Sequence, residues 1–349
     1  MNCITIVISK SMKYITFFFS LLFVASLQAQ DYDHRRQPQT NVPTDSIRLS
    51  DPFVFADTKT KTYYMTGTGG MLWKSKDLAM WEGPFLPFEI DPNSWMGPRP
   101  MVWAAEIHEY NDKYYFFATF TNQEVKIDTV AGNIIPRRAC HVLVADKPEG
   151  PYKPMADPTY LPADKPTLDA TLWIDSDNKP YMLFCHEWLQ NRDGTVEKIL
   201  LKDDLSGTIG KSKILFRASE SPWSRETTDD NSFKPNMVTD GPFVFKTSNG
   251  RIGMIWTSWV GDVYTQGVAY SMTNSLDGPW LQEPEPITPP NFGHGMIFHD
   301  FEGRTLMCLH SHKKYSQNHV DRRPHFFTVS LKGNRLEVMQ EFKPVSAVE

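Results

Sequence analysis

The chain has 349 residues, a formal net charge of −5 and 13% aromatic residues, with ten tryptophans. The negative net charge argues against the basic surface that nucleic-acid binding requires, and the length fits one large all-β domain. The many aromatic side chains suit a hydrophobic core, and also carbohydrate recognition, in which flat rings cover the C–H faces of sugars.

The N-terminus is predicted to be a secretory signal peptide, residues 1–29. The stretch MKYITFFFSLLFVASLQAQ (12–30) has a short basic start, an apolar run and small or polar residues around Ala29. This is the pattern of a cleaved leader, and it is too short for a stable membrane span. Translation starting at Met12 would retain the whole signal. We expect a secreted or periplasmic protein with no membrane contact after cleavage, a lead-in over residues 30–48 and a folded domain over residues 49–349.

Five copies of one unit follow along the chain. Each has an apolar run, a turn rich in Asp, Asn, Gly and Lys, and a second run rich in Tyr, Met and Phe, which is the pattern of a β-hairpin. The copies are DPFVFADTKTKTYYMTG, AEIHEYNDKYYFFATF, ATLWIDSDNKPYMLFC, GPFVFKTSNGRIGMIWTS and GMIFHDFEGRTLMCLHS. They align on five residues of the second run, namely Tyr64, Tyr115, Tyr181, Gly253 and Leu306.

Further strands follow several of these hairpins. The phrases LWKSKDLAMWEGPF, HVLVADKPEGPY and GVAYSMTNSLDGPW share one pattern, and KILLKDDLSG in the third copy is related. About four strands in each of five repeats predict an all-β fold, a single-domain five-bladed β-propeller. A β-sandwich would also explain many strands and turns, but not five similar hairpins in succession.

The cysteines give neither a disulfide framework nor a metal-binding spacing. Cys3 belongs to the signal peptide, and the other three, Cys140, Cys185 and Cys308, are scattered within apolar runs. They are predicted to be buried free thiols, although one disulfide is possible.

An aspartate stands before the first run in three of the copies. Asp51, Asp169 and Asp240 precede the hairpins of blades 1, 3 and 4. Because the first strand of every blade lines the central channel, these carboxylates should converge on one end of the axis. A single such Asp would only cap a turn. Three together raise the pKa of at least one member, so they indicate a functional site.

The runs SDPFVF, LDATLWIDSDNKPYM and DGPFVFK, together with WAAEIHEYNDKYYFF and FGHGMIFHDFEGR, resemble glycoside hydrolase family 43. The resemblance extends from about Ser50 to the RRP at 322–324. It implies a five-bladed propeller and an inverting hydrolase of the α-L-arabinofuranosidase, β-xylosidase, arabinanase or β-1,3-galactosidase type.

The resemblance also implies roles for the three acids. Asp51 matches the general base, and Asp169 the carboxylate that tunes the acid. Asp240 stands where the family has Glu as general acid, and it is expected to hold a proton because Asp169 is negatively charged nearby. Because Asp is one methylene shorter than Glu, Glu187 in CHEW (185–188) is the alternative acid.

Six residues are predicted to bind substrate: Trp103, Glu106, Glu187, Trp188, His294 and Arg323. Arg322, beside Arg323, resembles the same family arginine, and the register between the two is open. Trp103 and Glu106 could equally be a core residue and a turn cap. His294 matches a family histidine that holds a water or a calcium ion, so a calcium ion in the channel is possible, although no cofactor is expected to be required. The HSH at 310–312 has no third metal ligand and is predicted to be structural or exposed.

The predicted function is an exported inverting glycosidase that acts on plant-type polysaccharide or oligosaccharide, of the α-L-arabinofuranosidase or β-xylosidase type. The alternatives are a β-1,3-galactosidase and a non-catalytic propeller that binds glycans, the latter because Asp240 replaces Glu. The expected partner is a carbohydrate. The sequence does not specify the sugar, the choice between exo and endo action or the oligomeric state.

Overall fold

The computed structural model describes residues 37–155, 161–162, 165–227, 236–316 and 319–346. The predicted signal peptide lies outside these residues. Within them, no helix is long and apolar enough to cross a membrane.

The described chain forms five antiparallel sheets and very little helix, which confirms the predicted all-β propeller. The strands of blade 1 are β1 (Gln39–Pro43), β2 (Phe53–Asp57), β3 (Thr62–Thr66), β4 (Leu72–Ser75) and β5 (Met80–Phe85), and those of blade 2 are β6 (Met101–Tyr110), β7 (Lys113–Val130), β8 (Asn133–Ala145) and β9 (Lys153–Pro154).

The remaining three blades contain four strands each. Those of blade 3 are β10 (Thr167–Ile174), β11 (Pro180–His186), β12 (Thr195–Leu201) and β13 (Thr208–Arg217); those of blade 4 are β14 (Asp240–Lys246), β15 (Ile252–Val260), β16 (Val263–Ser271) and β17 (Trp280–Gln282); and those of blade 5 are β18 (Phe292–His299), β19 (Thr305–Ser311), β22 (Pro324–Ser330) and β23 (Glu337–Phe342). A small hairpin within blade 5 consists of β20 (Lys313–Ser316) and β21 (His319–Asp321). The one α-helical turn among the described residues is α1 (Trp188–Asn191), which follows β11.

The register of the hairpins confirms the repeat. All five residues used to align the copies pair with the equivalent position of the preceding first strand. The pairs are Phe55 with Tyr64, His108 with Tyr115, Trp173 with Tyr181, Phe245 with Gly253 and Phe298 with Leu306. The predicted third and fourth strands follow in each blade.

The N-terminal strand of the chain, β1, lies within the predicted lead-in and pairs with β5 at the outer edge of blade 1. The first strand of the blade 1 repeat, which lines the channel, is β2. Blade 1 is therefore built from residues 39–85 and blade 5 from residues 292–342, so neither contributes a strand to the other. One hydrophobic cluster joins them, in which Tyr63 and Trp81 of blade 1 pack with Met296 and Phe326 of blade 5. Side-chain packing of this kind closes the ring.

Apolar clusters of the same kind fill the other interfaces between neighbouring blades. Cys140, Cys185 and Cys308 are buried in these clusters as free thiols, as predicted. The packed interfaces between blades hold the first strands around the axis, and the functional side chains are placed at one end of those strands.

Candidate active site

The first strand of every blade begins with an irregular residue. In blades 2 to 5 the register with the second strand shifts at this point, as in a β-bulge, and the backbone of the bulged residue is left-handed. The equivalent residues, with their φ angles, are Asp51 (56°), Ala104 (42°), Asp169 (54°), Gly241 (49°) and His294 (50°). Bulges redirect side chains and are common beside active sites, and left-handed non-glycine residues are rare. The fold thus places a left-handed residue near the start of the first strand in every blade.

The backbone N–H groups of these residues bond around the ring. Ala104 donates to Thr68 Oγ1 at 3.1 Å, Asp169 to Thr119 Oγ1 at 3.0 Å and His294 to Thr257 Oγ1 at 2.8 Å. Each acceptor belongs to the second strand, or the residues just after it, of the preceding blade.

A fourth backbone N–H bond of this kind joins the last blade to the first. The N–H of Asp51 donates to His310 Nδ1 at 3.0 Å. His310 is therefore structural, as predicted for this histidine, but it is buried beside the site rather than exposed.

A cavity of about 190 Å³ opens at this end of the channel. Its base contains Asp51, Asp169, Asp240 and His294, and three tryptophans from blades 2, 3 and 4 contribute to its wall. These are Trp103, Trp188 and Trp259. The volume is below the roughly 300–1,000 Å³ of pockets for drug-sized ligands, so the cavity suits a single small ring.

His294 lies between two of the carboxylates. Its Nδ1 atom is 2.6 Å from Asp240 Oδ1 and 3.1 Å from Asp51 Oδ1. Neither contact is aligned as a hydrogen bond, so both are ion pairs. Asp169 lies close to the same group, with one oxygen within 4.8 Å of ligand atoms of Asp240 and His294.

The carboxylates determine the charge of His294. Burial acts to lower the pKa of His294, but the charges of Asp51 and Asp240 outweigh it and raise the pKa well above its usual value. The ring is therefore a cation at neutral pH, enclosed by acids.

The three acids do not titrate alike. Burial raises the pKa of Asp51 despite the opposing charge of His294. Burial and the charge of Asp240 raise the pKa of Asp169 well above its usual value. Burial also acts to raise the pKa of Asp240, but the charge of His294 and the hydroxyl of Tyr264, which donates at 2.7 Å, outweigh it and lower the pKa.

Comparison with known proteins shows the family to which the chain belongs. The family model described as glycosyl hydrolases family 43 matches residues 40–329. The chain belongs to glycosyl hydrolase family 43. It is therefore a glycoside hydrolase, of a family that acts with inversion at the anomeric carbon.

Solved family 43 structures show the same fold. The chain is 33% identical to an endo-arabinase from Bacteroides thetaiotaomicron, with a TM-score of 0.71 over 83% of this chain and 97% of that one. An endo-1,4-beta-xylanase from the same organism is 20% identical, with a TM-score of 0.66 over 88% and 98%. An alpha-L-arabinofuranosidase from Lactobacillus brevis is 17% identical, with a TM-score of 0.56 over 82% and 95%. No curated protein matches the chain.

The structure corrects two expectations about Asp240 in this family 43 chain. It is not equivalent to Asp51 and Asp169, because it lies one residue before the bulge position, which Gly241 occupies. The pKa shifts also run against the expectation that Asp240 holds the proton, because the pKa of Asp169 is raised well above its usual value and that of Asp240 is lowered. The cause is His294, a cation in direct contact with Asp240 that the sequence analysis placed near the axis without assigning it a charge.

Glu187 does not line the cavity. It is fully buried, forms an ion pair with Arg138 and accepts from Leu189 N at 3.4 Å as the N-cap of α1. This position corrects its predicted role in contacting substrate and makes it a poor alternative acid, since its carboxylate lies outside the cavity and is paired with Arg138. Trp188, the next residue, does line the cavity, as does Trp103.

Two other residues that were predicted to contact substrate also lie outside the cavity. Glu106 lies below the bulge and pairs with His108 Nε2 at 2.7 Å, away from the cavity wall. Arg323 pairs with Asp321 at 2.7 Å, whereas its neighbour Arg322 lines the cavity. Of the two adjacent arginines that resemble the family arginine, the structure therefore places Arg322 at the cavity and Arg323 outside it.

Several cavity residues were not predicted as substrate-binding, among them Tyr264, Trp259 and His312. Arg322 Nε donates to His312 Nδ1 at 3.2 Å, and burial lowers the pKa of His312 to about 3, so this histidine is neutral. The HSH motif contained the signal for His312, because residues i and i+2 of a strand share a face with His310. Tyr264 and Trp259 lie in the β15–β16 hairpin, whose register the sequence did not provide.

One cluster among the described residues has the residue types of a metal site, namely Asp169, Asp240 and His294. It fits a calcium ion poorly, because calcium takes six to eight oxygen ligands and the protonated ring already supplies a cation among the acids. We derive no catalytic step through a metal at this cluster.

Proposed function

We propose that this family 43 enzyme is an exported, inverting hydrolase of L-arabinofuranose- or D-xylose-containing plant polysaccharides, and that arabinan is its main substrate. The observation that carries the proposal is the grouping of Asp51, Asp169 and Asp240 around His294 at the base of a cavity of single-ring size.

Asp51 is proposed as the general base. Its Oδ2 accepts from the Thr68 hydroxyl, which fixes the carboxylate plane and leaves Oδ1 beside His294. Asp51 takes a proton from a water as the water oxygen bonds to the anomeric carbon. Inversion requires this water and the acid to lie on opposite faces of the sugar, with the carboxyl groups roughly 6.5–9.5 Å apart.

Asp240 is proposed as the general acid, supplied with its proton by Asp169. Its raised pKa favours the protonated form of Asp169, and one of its oxygens lies within 4.8 Å of a carboxylate oxygen of Asp240. As the glycosidic bond breaks, the proton passes from Asp169 to Asp240 and on to the departing oxygen. The pair ends the cycle ionised and recovers its proton from solvent, while Asp51 releases the one it gained.

Arabinose is favoured as the sugar by the endo-arabinase of Bacteroides thetaiotaomicron, the relative that is 33% identical over 97% of its length. The other structures reported above are too distant to inform the substrate. A β-1,3-galactosidase activity remains the alternative, because the cavity residues bind a ring of either kind through the same stacking and hydrogen-bonding chemistry.

Export is proposed from the leader-like segment at residues 12–30. Such an enzyme would meet its polysaccharide outside the cytoplasm, in the periplasm or beyond the cell.

The test is hydrolysis of a substrate panel that contains debranched arabinan, xylan and the 4-nitrophenyl glycosides of α-L-arabinofuranose, β-D-xylose and β-D-galactose. We expect the highest kcat/KM on an arabinose substrate. Preference for the galactoside would refute the proposed substrate, and failure to cleave any of the panel would favour a glycan-binding role.

A further inference from the structure

The hairpin of β7 and β8 is longer than its counterparts. Strand β7 has 18 residues, whereas the second strands of the other blades have 5, 7, 9 and 7. The additional length, residues 122–137, continues past Thr119 and therefore projects at the end of the propeller that holds the cavity. We call this projection the arm. At the corresponding position blade 5 has only the short hairpin of β20 and β21.

The arm reaches helix α1, which carries Trp188. A helix of a single turn has little stability of its own, because nucleation is unfavourable and only a few backbone hydrogen bonds offset its free-energy cost. The orientation of Trp188 therefore depends on what holds α1 in place. Two of the contacts that do so come from the hairpin of β7 and β8.

The first contact is at the start of α1. Arg138, at the base of the arm, forms an ion pair with the N-cap residue Glu187, and both side chains are buried. Arg138 Nε also donates to Thr121 Oγ1 at 2.9 Å, and its guanidinium lies 4.0 Å from the ring centre of Trp103. This one arginine thus links the two tryptophans of this side of the cavity.

The second contact is within α1. Gln190 Nε2 donates to Asp128 Oδ2 of the arm at 3.0 Å, and Gln190 Oε1 lies 2.7 Å from His186 Nε2 of β11. Both the nitrogen and the oxygen of the Gln190 amide therefore have a partner. The arm provides the partner of the nitrogen, Asp128.

We propose that the arm builds a subsite for a second sugar unit, with Asp128 and Gln190 as positioning residues that hold Trp188 as its wall. The inference rests on the function proposed above. The cavity accommodates one ring, and Trp103 and Trp188 are partly exposed at its rim, so the next unit of an oligosaccharide meets this wall. The arm then determines the affinity for oligosaccharides and does not alter the position at which the glycosidic bond reacts.

The test measures binding in an Asp51→Asn background, so that the substrate is not cleaved. The probes are arabinose, α-1,5-linked arabinotetraose and β-1,4-linked xylotetraose, each titrated calorimetrically into the parent and into four further variants. Asp128→Ala removes the acceptor, and Gln190→Glu sets two carboxylates against each other while still accepting from His186. Asp128→Asn keeps an acceptor, and it is also combined with Gln190→Glu so that its amide can donate to the new carboxylate.

Asp128→Ala and Gln190→Glu should weaken binding of the better tetrasaccharide by about three- to tenfold, the range of one hydrogen bond, with the affinity for arabinose unchanged. Asp128→Asn should resemble the parent, and the double variant should regain the affinity that Gln190→Glu loses. Asp146→Ala is the matched control, since Asp146 follows the other end of β8 and forms an exposed ion pair with Lys113 at 2.8 Å.

Tetrasaccharide binding that stays unchanged in Asp128→Ala and Gln190→Glu would overturn the inference while leaving the proposed function standing. An equal loss for arabinose and tetrasaccharide, or a double variant that shows no rescue, would also overturn it. If the parent bound neither tetrasaccharide, both this inference and the proposed function would fall. Thermal unfolding of each variant should remain cooperative, so that lost binding is not lost folding.

Discussion

At the scale of single residues, His294 determines how the acids work. Its charge stabilises an ionised Asp240 and leaves Asp169 as the protonated neighbour. A shorter acid than the family's glutamate is thus combined with a second carboxyl group that can resupply it. The sharing of one proton between adjacent carboxyls is a known solution where like charges cannot both ionise.

The identity of the acid can be tested with leaving groups. Asp240→Asn should reduce cleavage of natural linkages by roughly a hundredfold or more and largely spare dinitrophenyl glycosides, whose leaving group requires no proton. Steady-state rates on both substrate types would show the difference.

Glu187→Gln is the contrasting variant. It should weaken binding of both substrate types about equally, because it loosens α1, and it should lower stability, because Arg138 then lacks its buried partner. If the leaving-group dependence appeared in Glu187→Gln instead, the acid would be Glu187 and our assignment would be wrong.

Asp169→Asn should make the protein more stable and less active. The raised pKa of Asp169 means that the fold disfavours its ionised form, so wild-type stability decreases as pH rises from the unfolded pKa near 4 through the folded value. The variant lacks this loss, and its free energy of unfolding at pH 7 should exceed that of wild type by roughly 1–3 kcal/mol.

Denaturant unfolding of both proteins at pH 4 and pH 7 measures this effect. The difference between their free energies of unfolding should be larger at pH 7 than at pH 4. The alkaline limb of the pH–rate profile should also move to lower pH, since Asp240 must then hold the proton alone. A variant that is less stable than wild type at pH 7 would show that the fold does not disfavour the ionised form of Asp169.

At the scale of elements, the bulge at the start of each first strand positions the site. Four of the five equivalent left-handed residues carry a side chain, and the fifth is Gly241, against which the His294 ring packs. A Cβ at this position would lie 2.7 Å from His294 Cδ2. The glycine is therefore required by the close approach of the ring as well as by its φ of 49°.

Gly241→Ala should displace His294 from the two carboxylates and reduce kcat by roughly tenfold to a hundredfold. Gly303→Ala is the matched control, because Gly303 also has a positive φ, of 80°, but a Cβ there meets no atom within 4 Å. Rates and thermal unfolding of the two variants separate backbone strain, which both share, from the clash with His294. Equal activity in the two would contradict this role for Gly241.

The elements also show what the sequence could predict. The hairpins and their register follow from local alternation and turn chemistry, so Tyr64, Tyr115 and their equivalents were aligned correctly. The arm was not predicted, because nothing in NQEVKIDTVAGNIIPRR specifies where it packs. The position of Asp240 was misplaced by one residue, since a bulge changes the register without a distinctive local sequence.

At the scale of the whole molecule, the site depends on ring closure. The acids come from blades 1, 3 and 4 and the cation from blade 5, so no part of the chain contains the site alone. This is also why the sequence identified Asp51, Asp169 and His294 but not their charge states, which arise from contacts across more than 50 residues of chain.

Removal of metal ions should leave activity unchanged. His294 provides the positive charge at the centre of the acids, so the site carries its own cation. Rates after dialysis against EDTA, compared with rates after calcium is added back, would test this. A loss that calcium restores would show that an ion assists catalysis.

The central claim is that Asp51 activates a water for inverting hydrolysis of an arabinose linkage at the shared site. The most direct measurement is time-resolved proton NMR of the first sugar released from debranched arabinan by wild type and by Asp51→Asn. We predict that wild type releases the β-anomer from the α-linked substrate and that Asp51→Asn, although folded, is slower by about a hundredfold or more. Release of the α-anomer first, or near-normal turnover by Asp51→Asn, would contradict the account.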